Sequence, residues 1–143
     1  MGDPRPIVLV VDDDEDHVMM LEVALQAEGY DVLTATSCES AREVLTTKHV
    51  DALVADLTLG DGTSVDLLQA LEHRPRVSVV LSGFDAAEDQ ERTRAAGFDE
   101  HLVKPTPLDR LLSVLSEGLR RRESVMRLAK SLSPEATGKR SAG

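Results

Sequence analysis

Short unbroken apolar runs alternate along the chain with stretches whose apolar residues recur every three or four positions. Ile7–Val11 (IVLVV) contains no polar residue. Such a run reads as a strand covered on both faces. Val18, Leu21, Ala24 and Leu25 follow at helical spacing, and Gly29 stops that segment. The alternation then repeats. Val32–Ala35 predicts a second strand and Ser40–Leu45 a short helix. Ala52–Ala55 predicts a third strand ending at Asp56, followed by a loop, LGDGTS, and a helix over Val65–Leu71. Val77–Leu81 predicts a fourth strand ending at Ser82-Gly83, and a polar helix follows over about 86–96, stopped by Gly97. His101–Val103 predicts a fifth strand, ending at Lys104-Pro105. Leu108–Leu119 predicts a last helix with Leu108, Leu111, Leu112, Leu115 and Leu119 on one face.

Strand–helix units in series, with strands that do not alternate, predict an α/β fold built on a parallel sheet. Right-handed crossovers make it doubly wound. The 143 residues suit one domain. With two Phe, one Tyr and no Trp, the core must be built from Val, Leu, Ile and Ala. No apolar run reaches bilayer length, and nothing resembles a signal peptide. A single cysteine, Cys38, excludes an internal disulfide and fits a reducing compartment. The expected location is the cytoplasm, with no membrane contact.

Charge divides the chain. The net charge is −10, yet the residues from Arg120 onward hold seven Lys/Arg against two Asp/Glu. The acidic body repels nucleic acid and favours cations or basic partner surfaces, so no direct nucleic-acid binding is expected. The expected organisation is a domain over residues 1–119 and a basic C-terminal extension over 120–143. Val125, Leu128, Ala129 and Leu132 predict a short helix over about 120–132, continuing the last helix or packing beside it across a candidate hinge at Gly118, with disorder beyond Pro134. That helix could dock on the acidic fourth helix, with its Glu88, Asp89 and Glu91, in cis or within a dimer.

In an open parallel sheet, ligands bind beyond the carboxyl ends of the strands. Those ends carry Asp12, Asp13 and Asp14, then Asp56, then Ser82, then Lys104. Carboxylates gathered in one site repel unless a cation joins them. A hard divalent ion with oxygen ligands fits, and Mg²⁺ takes one or two carboxylates while keeping waters. Lys104 and Ser82 could hold phosphate oxygens, which suits phosphoryl transfer to Asp56. Each residue also has an ordinary reading. Asp14, Glu15 and Asp16 suit the cap and dipole of a helix. Asp56 alone suits a turn, Ser82 a turn or cap, and Lys104 a solvated surface.

With these residues in view, about residues 6–119 resemble the receiver domain of two-component response regulators. IVLVVDDDEDH, DALVADLTLGDG, VSVVLSG and AAGFDEHLVKP stand in the family's order and spacing. The resemblance implies a flavodoxin-like doubly wound sheet of five parallel strands in the order 2-1-3-4-5, flanked by five helices. It implies Asp56 as phosphoacceptor and Mg²⁺ held by Asp13, by Asp12 largely through water, by Asp56 and by the Thr58 carbonyl. Ser82 and Lys104 would hold the phosphoryl group, and Lys104-Pro105 is a candidate cis peptide. Implied partners are a sensor histidine kinase or phosphotransfer protein and a downstream protein target, for a monomer or weak dimer. Such a protein catalyses only its own phosphorylation and dephosphorylation.

The departures are His101 where the family has Tyr or Phe as switch residue, Gly60 for Pro, Gly83 for Ala and Phe98 for Ala. Gly60 should loosen the loop after Asp56. Thr58 and Phe84 would flank the site and shield it from water. Other readings remain. Asp12-x-Asp14 after a strand also resembles haloacid-dehalogenase-like phosphatases with Asp12 as nucleophile, but only Asp109 follows Lys104 within reach and Asp56 is left idle. A binding module that no longer uses phosphate would not need the full residue set. The chain could also be the receiver portion of a longer transcriptional regulator.

Overall fold

Strand residues 8–11, 52–55 and 77–82 are all buried, as a sheet covered on both faces requires. The computed structural model describes residues 5–83 and 87–132, with residues 87, 122–127 and 130–132 described by backbone alone. Its elements run β1 (Ile7–Val11), α1 (Glu15–Ala27), β2 (Asp31–Ala35), α2 (Cys38–Thr47), β3 (Ala52–Asp56), β4 (Thr58–Leu59), β5 (Gly62–Thr63), α3 (Ser64–Gln69), β6 (Val77–Ser82), α4 (Ala87–Ala96), β7 (Glu100–Val103) and α5 (Leu108–Leu132). The sheet order is β2-β1-β3-β6-β7, every neighbour parallel. Counting only these five strands gives 2-1-3-4-5, the expected flavodoxin-like fold.

The period-2 geometry of a strand divides the core into two layers. Leu9, Val11, Leu53, Ala55 and Val80 face one side, with Ala41, Leu67, Leu68 and Phe98 from the covering segments. Val8, Val10, Val54, Val79 and Leu81 face the other, against Leu21 and Leu25 of α1 and Leu111 and Leu115 of α5. Each such Val or Leu contributes roughly 1.5–3 kcal/mol by leaving water. In α4 only Thr93 and Ala96 are buried among the residues whose side chains are described, as its polar sequence requires. Gly29 (φ +98°) and Gly97 (φ +112°) end α1 and α4 in a conformation that L side chains rarely adopt.

Three expectations change. LGDGTS is not an open loop: Thr58 pairs with Thr63 and Leu59 with Gly62 in a small antiparallel ribbon. Gly118 is not a hinge, because α5 continues through it for 25 residues. The glycine is there for close approach: a Cβ would meet both methyls of Val77 at 2.9 Å. Leu108 is not on the core face but 42% exposed. Beyond Gly118 the chain prolongs α5, and its described Leu128 and Ala129 side chains are exposed. Phe84, the start of the α4 segment at 86, and the residues from Pro134 onward lie outside the described residues.

Candidate functional site

β1 and β3 are neighbours in the sheet, with Val11 opposite Ala55. The next residues, Asp12 and Asp56, therefore leave the sheet side by side. This is also where successive connections run to opposite sides of the sheet, the place such folds bind ligands. β3 pairs Asp56 with Leu81 of β6, and β6 pairs Ser82 with Val103 of β7. Ser82 and Lys104 thus arrive at the same edge by register, joined by a 2.7 Å bond from the Lys104 amide to the Ser82 carbonyl.

Asp12 is buried, while Asp13 is exposed and Asp56 is partly buried. One carboxylate oxygen from each lies within 4.8 Å of the others. Lys104 Nζ stands 3.2 Å from Asp56 Oδ1 and 3.5 Å from Asp12 Oδ2. Burial pushes the Asp56 carboxyl up; Lys104 opposes this, Asp12 and Asp13 add to it, and it remains raised. Burial also pushes Asp12 up, but His17, the Asp14 amide and Lys104 outweigh it and hold the carboxyl below its usual range. Lys104 is pulled down by burial and further up by its two carboxylates. Three carboxylates against one ammonium leave a net negative site of hard oxygen donors, which fits a divalent cation.

Asp14 does what its ordinary reading held: it caps α1, accepting from the amides of Asp16 and His17. Ser82 is buried. Thr58 lies two residues beyond Asp56, exposed, in β4. The Lys104-Pro105 peptide is cis. His101 is half-buried: its Nδ1 lies 3.0 Å from Thr93 Oγ1, and its Nε2 is buried with no hydrogen-bond partner among the described residues.

Two neighbours of the site escaped the sequence reading. His17 Nδ1 lies 2.5 Å from Asp12 Oδ2. The only signal was a histidine closing the acidic run DDDEDH, five positions after Asp12. Asp61, set between glycines in the loop LGDGTS, drew no reading of its own, yet its carboxylate accepts from the amides of Cys38 (2.7 Å) and Glu39 (3.1 Å).

Comparison with known proteins agrees with this fold. The sequence profile of the response regulator receiver domain matches residues 8–116. The transcriptional regulatory protein PrrA of Mycobacterium tuberculosis is 38% identical over 126 residues, covering 86% of this chain and 54% of PrrA. The response regulator protein PilR of Pseudomonas aeruginosa is 31% identical over 120 residues, covering 82% of this chain and 27% of PilR. A CheY-like receiver domain from Methanospirillum hungatei superposes with a TM-score of 0.80 at 25% identity, covering 85% of this chain and 98% of that one. The chain therefore belongs to the response regulator receiver family of two-component signalling. That family is not a classical enzyme family, and the phosphatase reading, which left Asp56 idle, loses its footing. The chain spans about half the length of PrrA or less of such relatives. No helix among the described residues is long and apolar enough to cross a membrane.

Proposed function

We propose that Asp56 accepts a phosphoryl group from the phosphohistidine of a sensor kinase or phosphotransfer protein, and that this changes the domain's contacts with a downstream protein. A carboxylate oxygen of Asp56 forms the new bond to phosphorus. The donor's P–N bond breaks, and its imidazole leaves with the electron pair. The observation that carries this reading is Lys104 bridging Asp56 and Asp12 beside the third carboxylate of Asp13. Asp12, Asp13, Asp56 and the Thr58 carbonyl would hold Mg²⁺, which neutralises charge on the phosphoryl oxygens when bound. Lys104 would turn from the carboxylates to a phosphoryl oxygen, and the Ser82 hydroxyl would donate to another. His101 would follow Ser82 as the switch residue.

In this reading residues 1–119 are the receiver, residues 120–143 form a basic extension, and the protein works in the cytoplasm. A second reading rests on the lengths of the relatives: PrrA is a transcriptional regulator about half spanned by this chain. The receiver would then govern an output domain on the same polypeptide. The test for the site is acetyl phosphate with and without Mg²⁺, followed by intact mass. One phosphoryl adduct, dependent on Mg²⁺ and absent in Asp56→Asn, is expected. An unchanged adduct in Asp56→Asn sinks the assignment.

A further inference from the structure

We propose that Asp61 is a positioning residue for the metal-binding loop, clamping the β4–β5 ribbon to the N-terminus of α2 so that the Thr58 backbone is held at the carboxylate cluster. This rests on the reading of the site given above.

A ribbon of two residues per strand does not hold itself in water. Its tip is Gly60-Asp61. Gly60 is exposed, nothing lies within 4 Å of where its Cβ would be, and it adds no side chain to stiffen the turn. The base of the ribbon is anchored by the buried Leu59 and by the Ser64 amide on the Leu57 carbonyl at 2.9 Å. The tip is held from across the fold. Asp61 accepts from the amides of Cys38 and Glu39 at 2.7 and 3.1 Å, and these bonds hold its carboxyl below the usual range. Beside it, Gly62 lies against Cys38, whose Sγ would be 3.4 Å from a Cβ there. Cys38 Sγ in turn reaches the Thr63 carbonyl at 3.7 Å.

A plain helix cap would explain the two amide bonds, but α2 already has its cap. Ser37 accepts from the Ser40 amide, and the Ser40 hydroxyl accepts from the Ser37 amide, a complete capping box. Asp61 takes the two amides that the box leaves over, and it does so from the other end of a loop. What it adds beyond capping is a fixed position for the ribbon. Thr58 opens that ribbon two residues after Asp56. A carbonyl that must meet a metal loses affinity when its backbone is free to wander. Gly60 has no side chain to stiffen the turn, and the carboxylate at position 61 holds it instead.

The test compares the full chain with Asp61→Ala, Asp61→Asn, Gly60→Pro/Asp61→Ala and Asp13→Ala. Mg²⁺ affinity is measured by calorimetry, and the rate of Asp56 phosphorylation by acetyl phosphate is followed against Mg²⁺ concentration. Asp61→Ala is expected to raise the Mg²⁺ Kd by about fivefold, the low end of typical site-to-site couplings. Its phosphorylation rate at saturating Mg²⁺ should stay within about twofold of the parent, since no reacting atom is touched. Asp61→Asn, which keeps one acceptor oxygen, should fall between, and remains readable if the alanine variant folds poorly. Gly60→Pro should restore affinity in the Asp61→Ala background, because it stiffens the turn without recapping α2. Parent-like Mg²⁺ affinity in both Asp61 variants overturns the proposal, as does a loss that Gly60→Pro does not relieve. Mg²⁺ binding as tightly to Asp13→Ala as to the parent would instead sink the metal site itself, and this inference with it.

Discussion

Lys104 Nζ lies 3.2 Å from Asp56 Oδ1, so a cation delivered by β7 reaches past β6 to the end of β3. The pair is unequal. Burial and the neighbouring carboxylates leave Asp56 raised despite Lys104. A raised folded-state carboxyl costs stability above its folded pKa and costs nothing below its unfolded pKa. Without metal at neutral pH, Asp56→Asn should therefore stabilise the fold, and the gain should vanish below about pH 4. Lys104→Met should do the opposite, costing about 1 kcal/mol after allowance for a side chain one-third exposed. Urea denaturation in EDTA at pH 7 and pH 3.5 gives both signs. A destabilised Asp56→Asn at pH 7 would contradict the argument.

Metal should act through linkage. If the Asp12, Asp13 and Asp56 oxygens, within 4.8 Å of one another, close on Mg²⁺, only the folded chain holds that site. Stability should grow by about 2.7 kcal/mol at a hundredfold excess over Kd. Asp13→Ala should remove most of this rise and leave the metal-free protein no less stable, since an exposed like charge is lost. Thermal melts across a Mg²⁺ series are sufficient. A melting temperature indifferent to Mg²⁺ in the parent chain would count against the site.

What was legible in the sequence was whatever local pattern encodes. IVLVV, ALVAD and VSVVLS announce buried strands, and the rule that ligands sit beyond strand ends then gathers Asp12, Asp56, Ser82 and Lys104. What was not legible depends on distant partners. Asp61 meets the Cys38 amide 23 residues away, and nothing near GDG marks it as more than a turn. Gly118 looks like a hinge until Val77 is placed against it. His17 looks like any first-turn polar residue until Asp12 is found buried behind it. LGDGTS does carry hairpin-turn pairs, Gly60-Asp61 and Asp61-Gly62, but strands of two residues show no alternation beside them, so the ribbon read as a loop.

Gly118 offers a test with an unusual sign. Glycine inside a helix normally costs about 1 kcal/mol relative to alanine. Here the added methyl would sit 2.9 Å from both Val77 methyls, in a fully packed strand face. Overpacking of this kind costs about 1–3 kcal/mol, so Gly118→Ala should destabilise. Val77→Ala should relieve the clash in the double variant, giving a favourable coupling between the two positions. A stabilised Gly118→Ala would show that Val77 yields and that close approach does not require the glycine.

Asp51 ties the lower end of the sheet, and its contribution should depend on pH. Its Oδ2 accepts from the Ile7 amide at 2.8 Å, and its Oδ1 lies 2.8 Å from His49 Nε2 and 3.3 Å from an Arg76 nitrogen. Arg76 also donates to the Leu119 carbonyl at 3.3 Å, joining β3, β6 and α5. Burial pushes the Asp51 carboxyl up, but these bonds outweigh it and leave it lowered. A lowered folded-state carboxyl stabilises above its unfolded pKa, and that stability is lost as pH falls through the folded pKa. Asp51→Asn should cost about 1.5–3 kcal/mol at pH 7, the range for hydrogen bonds to a charged group. The gap should begin to narrow at about pH 4 and close only once pH falls below the lowered folded-state value. Equal stabilities at pH 7 would show the network to be idle.

The bond between Thr93 and His101 fixes the ring proposed above as the switch residue. Thr93 Oγ1 donates to the Gln90 carbonyl at 3.0 Å, which uses its single proton. Toward His101 Nδ1, also 3.0 Å away, it can then only accept. With the hydroxyl proton so placed, Nδ1 carries the hydrogen and the buried Nε2 of a neutral ring is a bare acceptor. Thr93→Val removes the oxygen, keeps the shape and strands Nδ1–H. It should cost about 1–3 kcal/mol, the penalty of one unsatisfied buried donor. In His101→Ala there is no donor left to strand, so Thr93→Val should cost less in that background. A double-mutant cycle by urea denaturation measures the difference. Neither variant touches Asp56, so its labelling by acetyl phosphate should persist in both. Effects that add to within about 0.5 kcal/mol would mean that Thr93 does not hold the ring.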